Sequence, residues 1–316
     1  MNDDTVRLAD GTALHVVRDG PPDAAVTVVF VHGYALDHRC WHYLTADLPT
    51  AVEHPVQVVA YDQRGHGASS AATAHTATVE QLGDDLAELI AQLAAGSVVV
   101  VGHSMGGLTA LALRERHPEL VEGTVNAPPK VAGLVLLATG AGERAAEARA
   151  ATGLAVESSA SRIPAVINKL MWDLESLLGP ALVDLVTDRS HKAMVTSMRW
   201  SLFGDDPRQD DVLLTLRMIR HHWPKAMALF RTALDDYVRH AELTLPAGTP
   251  VIGVAGERDR LVPQEQVAAL LAGITDATTF VLPGTGHLVP LEAPALILPR
   301  VTAVVHAVQR RLREAR

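Results

Sequence analysis

Six short runs of apolar, mostly β-branched residues recur along the chain, and helical patterns fall between several of them. The runs are Val26–Val31 (VTVVFV), Val56–Tyr61 (VQVVAY), Val98–Val101 (VVVV), Val131–Leu137 (VAGLVLL), Pro250–Ala255 (PVIGVA) and Thr278–Leu282 (TTFVL). They are nearly continuous rather than alternating, the pattern of strands covered on both faces. Between two of them, Val79–Leu93 sets Val79, Leu82, Leu86, Leu89, Ile90 and Leu93 along one helix face. Thr78 and Gln81 have the spacing of a capping box at its start. Such alternation predicts an α/β fold, a mostly parallel doubly wound sheet with right-handed crossovers. Ligands of such sheets bind just beyond the C-terminal ends of the strands. An Asp10-Gly11 turn inside Val6–Val17 adds an N-terminal hairpin.

The alternation lapses between about Glu143 and His240. Helical patterns such as Ile163–Leu178 and Val212–His221 take its place, broken at Gly179-Pro180, Asp206-Pro207 and Trp223-Pro224. This predicts a core of residues 1–142 and 241–316 with a helical cap, 143–240, inserted. The insertion holds five of the seven methionines (Met171, Met194, Met198, Met218, Met227) and three of the four tryptophans (Trp172, Trp200, Trp223). Such side chains offer large, adaptable apolar surface. Most are expected to form the insertion's own core, with Met171, Trp172, Met198, Trp200 and Trp223 the candidates for a substrate pocket, along with His103.

Composition narrows the partners. The net charge is −9, and the single basic run, RRLREAR, reads as the last turn of a helix, so no nucleic-acid footprint is present. Cys40 is the only cysteine, which excludes an intrachain disulfide. No apolar run approaches the ~18 residues of a bilayer span, and the N-terminus lacks the features of a signal peptide. The expected location is the cytoplasm. Neither H-E-x-x-H nor paired cysteines occur, so no metal or cofactor is expected.

The run Val98–Val101 leads into Gly102-His103-Ser104-Met105-Gly106, a G-x-S-x-G pattern followed by the helical pattern Leu108–His117. A sharp strand-to-helix turn strains the serine and crowds its neighbours, which glycines relieve, and lifts the hydroxyl to the tip of the sheet. A serine nucleophile needs a base, and the base an orienting carboxylate. Asp259 follows one late strand in GERDRLVP and His287 follows the next in PGTGHLVP, giving the chain order Ser104, Asp259, His287. Glu143, after an earlier strand, is the alternative acid. Backbone N–H groups of Met105 and of Tyr34, in FVHGYALDHRCW, are the candidate oxyanion donors. His32 reads as a loop-fixing residue. DQRGHGAS, Asp62–Ser69, reads as a tight loop beside the site, with Asp62 and Arg64 pairing within it.

Together HGYALDHRCW, DQRGHGAS, GHSMGG, GERDRLVP and GTGHLVP resemble the α/β-hydrolase superfamily in its esterase, lipase and perhydrolase branch. The resemblance covers about Val6 to Val308. It implies an α/β-hydrolase fold with Ser104 as nucleophile, His287 as base and acid, Asp259 as orienting acid, and Tyr34 and Met105 as oxyanion donors. Epoxide hydrolases and haloalkane dehalogenases of this fold carry a carboxylate where Ser104 stands. GTVNAPPK, Gly123–Lys130, departs from the pattern as a longer surface link. The function implied is hydrolysis of a small hydrophobic carboxylic ester through an acyl-enzyme. Thioesterase, lactonase, carbon–carbon hydrolase and acyltransferase or tailoring enzyme share the triad, and a ligand-binding receptor with little turnover is the alternative outside enzymes.

Overall fold

The computed structural model describes residues 1–124, 130–140, 195–196, 198–221, 229–231, 233–234, 237 and 243–315. Eight strands form one sheet: β1 (Asn2–Arg7), β2 (Ala13–Asp19), β3 (Val26–Val31), β4 (Gln57–Tyr61), β5 (Ser97–His103), β6 (Val131–Leu137), β7 (Val251–Gly256) and β8 (Thr278–Leu282). Their order is β1-β2-β4-β3-β5-β6-β7-β8. β1 and β2 form the expected antiparallel hairpin, β2 pairs antiparallel with β4, and every later pairing is parallel. The helices are α1 (His42–Ala51), α2 (Val79–Leu93), α3 (Met105–Arg116), α4 (Pro118–Glu122), α5 (Gln209–His221), α6 (Gln264–Leu271), α7 (Val289–Glu292) and α8 (Pro294–Glu314).

Continuous apolar strands require cover on both faces, and both are covered. Val29, Val31, Val98, Val100, Leu134 and Leu136 join Leu86, Leu89 and Leu111 of α2 and α3 in one buried cluster. The alternate residues Val28, Phe30, Val99, Val101, Val135 and Leu137 join Leu44 and Leu48 of α1 and Val301 and Val305 of α8 in another. All six residues of β3 are buried, which places it inside the sheet. Burying one such side chain contributes about 1.5–3 kcal/mol, so register in the central strands is fixed by packing as well as by hydrogen bonds.

The capping box at α2 forms by half. Thr78 accepts from the Gln81 N–H at 3.1 Å, but the Gln81 side chain donates to Asp85 Oδ1 at 2.9 Å instead of turning back. The pattern Ile163–Leu178 lies outside the described residues, and of Gly123–Lys130 only the ends are described. Within 143–240 the principal described element is α5, which contains the expected Val212–His221. Among the described residues no helix is long and apolar enough to cross a membrane.

Candidate active site

The turn from β5 into α3 holds Ser104 at φ 51° and ψ −116°. Positive φ costs a residue with a side chain about 1–3 kcal/mol and persists only where the surroundings enforce it. Here the Ser104 N–H donates to the Leu137 carbonyl and the Ser104 carbonyl accepts from the Gly107 N–H, each at 2.9 Å. A Cβ on Gly106 would press into the Val31 carbonyl, and one on Gly102 would lie 2.7 Å from the Gly106 carbonyl oxygen. The two glycines are therefore demanded by the close passage of α3 over β3 and β5.

Two loops at the same edge of the sheet bring the other groups. His287 Nε2 lies 3.0 Å from Ser104 Oγ, and His287 Nδ1 lies 2.8 Å from Asp259 Oδ2. Asp259 Oδ1 accepts the N–H groups of Leu261 and Val262 at 2.8 and 2.9 Å. With both oxygens engaged, the carboxylate has one orientation. It requires the proton on Nδ1, which leaves the Nε2 lone pair for the serine hydroxyl. The Asp259 and His287 side chains are 0% and 8% exposed, whereas Ser104 is only partly buried.

The loop after β3 is fixed by His32. Its Nε2 accepts the Gln63 N–H at 2.8 Å, so its Nδ1–H donates to the Gly33 carbonyl, also 2.8 Å away. The Gln63 side chain closes the arrangement by donating to the His32 carbonyl and accepting from the Thr109 hydroxyl of α3. Burial lowers the His32 pKa, in keeping with a neutral ring. Tyr34 follows on this loop, partly buried, and its ring meets His66 edge-on. Phe230 packs on the His66 ring, in a buried cluster with Ala35 and Met105. Met105 opens α3, where the first N–H groups have no partner within the helix and the helix dipole favours negative charge.

His103 differs from expectation. Its ring is 1% exposed, so it does not line an open pocket. Its Nε2 lies 2.8 Å from the His287 carbonyl and therefore donates to it. Burial first, then the nearby His287, pushes its pKa down to about 3 and keeps the ring neutral. Met198 also departs from the pocket reading, being buried among Phe203, Leu216 and Met218. Trp200 is 47% exposed beneath the Arg260 guanidinium, 4.8 Å from its ring. Met171, Trp172, Trp223 and the alternative acid Glu143 lie outside the described residues.

A sequence model of the alpha/beta hydrolase family matches residues 28–300. The chain belongs to the alpha/beta hydrolase family. Lipase LipV of Mycobacterium tuberculosis is 38% identical over 119 residues, a stretch covering 38% of this chain and 42% of that lipase. The match thus spans less than half of that relative. A protein of Mycobacterium phage D29, designated a non-heme haloperoxidase, is 27% identical over 90% of this chain and 88% of its own length. Among solved structures, an esterase from Exiguobacterium antarcticum superposes with a TM-score of 0.69 at 18% identity, covering 96% of this chain and 98% of its own.

In this alpha/beta hydrolase, Asp62 and Arg64 do not pair with each other as the sequence suggested. Arg64 is buried and makes a bidentate pair with Asp85 of α2 at 2.8 and 2.6 Å, with a further contact to Asp10 at 2.7 Å. Asp62 accepts from the rings of His15 and His38 at 3.1 and 2.7 Å and from the N–H groups of His38 and Ala68. Four donors on one buried carboxylate explain why a loop rich in glycine holds one shape. The sequence carried half of this signal: Asp85 lies beside the apolar stripe of α2, where a charge needs a buried partner, but nothing in it names Arg64 as that partner.

Among the described residues, His15, His38 and Asp62 are the group whose donor atoms lie close enough together, within 4.8 Å, to hold a metal ion. Each Asp62 oxygen already accepts two hydrogen bonds, so the group works as a hydrogen-bond hub.

Proposed function

We propose that this chain is a serine hydrolase that cleaves carboxylic esters of small hydrophobic molecules through an acyl-enzyme. The observation that carries this reading is the unbroken hydrogen-bonded chain from Ser104 Oγ through His287 to Asp259. A second support is the absence of a carboxylate at the turn, where Ser104 offers a hydroxyl.

The chemistry follows from these contacts. Ser104 Oγ attacks the ester carbonyl while His287 Nε2 takes its proton, and Asp259 steadies the imidazolium that forms. The N–H groups of Met105 and Tyr34 receive the negative oxygen of the tetrahedral intermediate, a contribution typically worth about 2.7–4 kcal/mol per donor. Collapse expels the alcohol, protonated by Nε2–H. Water, deprotonated by the same nitrogen, then attacks the acyl group and frees Ser104. Residues 143–240 are taken as the cap over this edge, with Ile219, Phe230 and Leu234 packing near Tyr34 and Met105.

A fluorophosphonate that phosphonylates activated serines tests the reading. Intact-mass analysis should show one adduct per chain, lost in Ser104→Ala, and p-nitrophenyl esters should be turned over by the wild type. Failure to label and to hydrolyse any ester would return the chain to the class of binding proteins. The full-length relative designated a haloperoxidase motivates one further assay. Hydrogen peroxide replacing water would convert the same acyl-enzyme to a peracid, detectable beside the acid product.

A further inference from the structure

The loop that carries His287 is not held by its own strand alone. The segment Leu202–Asp205 lies against it, backbone on backbone. The Leu202 carbonyl accepts the N–H groups of both His287 and Leu288, at 2.8 and 3.2 Å, and the Asp205 N–H donates to the Gly284 carbonyl at 2.8 Å. Glycine is needed on both sides of this contact: a Cβ on Gly286 would meet the Phe203 backbone, and one on Gly204 the Gly284 carbonyl. One side chain bridges the two segments. Glu292, at the end of α7, accepts the Gly204 N–H at 2.7 Å through Oε2 and the Gly286 N–H at 3.1 and 3.0 Å through its two oxygens.

We propose that Glu292 is a positioning residue for His287, clamping the loop that carries the base to the segment Leu202–Asp205. This rests on the reading of His287 as the base. The carboxylate is well suited to the task. Two backbone donors from different segments converge on it, and a charged acceptor makes bonds roughly twice as strong as a neutral one. Burial pushes its carboxyl up from the usual range, against the N–H groups of Gly204, Gly286 and Leu288, which favour the charged form. Among the described residues no cation lies within ion-pair distance of it, so its stabilisation comes from peptide groups and fixes backbone rather than a mobile side chain. The acid's loop also holds this stretch of chain. Arg260 donates to the carbonyls of Trp200 and Phe203 at 2.7 and 3.2 Å, and Arg258 contacts Asp205 at 3.2 Å. His287 and Asp259 thereby share one external support, and Glu292 is its link to the base.

A displacement of the base by about 1 Å costs on the order of 100-fold in rate, so loss of the clamp has a measurable signature. Glu292→Ala should lower kcat on a short p-nitrophenyl ester by about tenfold or more, counted per folded molecule, with KM within about twofold. Glu292→Gln, which keeps an acceptor oxygen in place, should recover most of that loss. Glu292→Asp, too short to reach both segments, should fall between them. The second readout needs no turnover: the downfield proton resonance of His287 Nδ1–H, bonded to Asp259 and identified by its loss in His287→Gln. It should be sharp in the wild type and Glu292→Gln, and exchange-broadened in Glu292→Ala, or in Glu292→Asp should the alanine variant not fold. Wild-type kcat together with an unaltered resonance in Glu292→Ala would overturn the proposal. A wild type that neither labels nor hydrolyses esters would remove the hydrolase reading instead, and the resonance comparison would still decide the role of Glu292.

Discussion

The Nε2–H of His103 donates to the backbone carbonyl of His287, 2.8 Å away and 184 positions along the chain. The residue preceding the proposed nucleophile thus holds the backbone of the proposed base, so the two are registered by one side chain. His103→Ala should leave that carbonyl unpaired and lower kcat by about tenfold, since a buried polar group without a partner costs about 1–3 kcal/mol. Esterase kinetics with active-site titration measure this directly.

His103 also makes stability sensitive to pH. Its folded pKa is pushed from 6.5 to about 3, by burial and then by His287. The unfolded chain therefore binds the extra proton as pH falls below 6.5, and folded-state stability is lost progressively in that window. Urea midpoints at pH 7.5 and 5 should differ more in the wild type than in His103→Gln. Equal differences would show that the ring accepts a proton in place.

Ser104 offers a test of strain separate from chemistry. Ser104→Ala should reduce kcat by roughly 10⁴ or more while substrate binding survives. Ser104→Gly should be equally inactive yet more stable than the alanine variant, by about 1 kcal/mol, because glycine tolerates φ near 51°. Denaturant midpoints of the two inactive proteins compare them without reference to turnover.

Asp259→Asn isolates the orienting role. The Leu261 and Val262 N–H groups require an oxygen opposite them, so the amide must turn its NH₂ toward His287 Nδ1. That forces the proton onto Nε2 and removes the acceptor for Ser104. A loss of about 10⁴ in kcat with an unchanged circular dichroism spectrum is expected, on the pattern of other such triads. Glu143→Gln should change little; a large loss there with an active Asp259→Asn would move the acid to the earlier strand.

Asp62 should contribute to acid stability. Burial would raise its carboxyl pKa, but hydrogen bonds from His15 and His38 outweigh this and hold it far below the usual range. The stabilisation is present above the unfolded value of 3.8 and is lost as pH falls below it toward the folded value. Asp62→Asn should cost about 2 kcal/mol at pH 7 and show a shallower decline in melting temperature between pH 5 and 3.

Much of this was legible in the residues. Continuous runs such as Val26–Val31 and Val131–Leu137 coincide with β3 and β6, because strands buried on both faces leave no room for polar alternation. β5 extends the run Val98–Val101 at both ends, through Ser97 and through Gly102-His103, where backbone pairing with β3 and β6 rather than hydrophobicity sets the limits. Partner choice was harder to read. Arg64 had many acids within reach, and only the fold brings Asp85 and Asp10 to it. His103 was legible as a residue beside the serine, but its partner is a main-chain carbonyl, which leaves no mark on composition. Glu292 was invisible for the same reason: its partners are peptide N–H groups, those of Gly204 and Gly286 among them.

β6 and β7 lie side by side in register although one ends at Leu137 and the other begins at Val251. Bringing such distant strands together means closing a very large loop, yet the entropy of closure grows only logarithmically, by about 0.6 kcal/mol for each doubling of length. The junction can therefore accept segments of widely different size at almost constant thermodynamic cost to the sheet. The toll falls on kinetics, since late, non-local pairing slows folding. For this chain, the β6–β7 pairing is the most distant in sequence of the parallel ladder, whereas β3, β4 and β5 all lie within the first 103 residues.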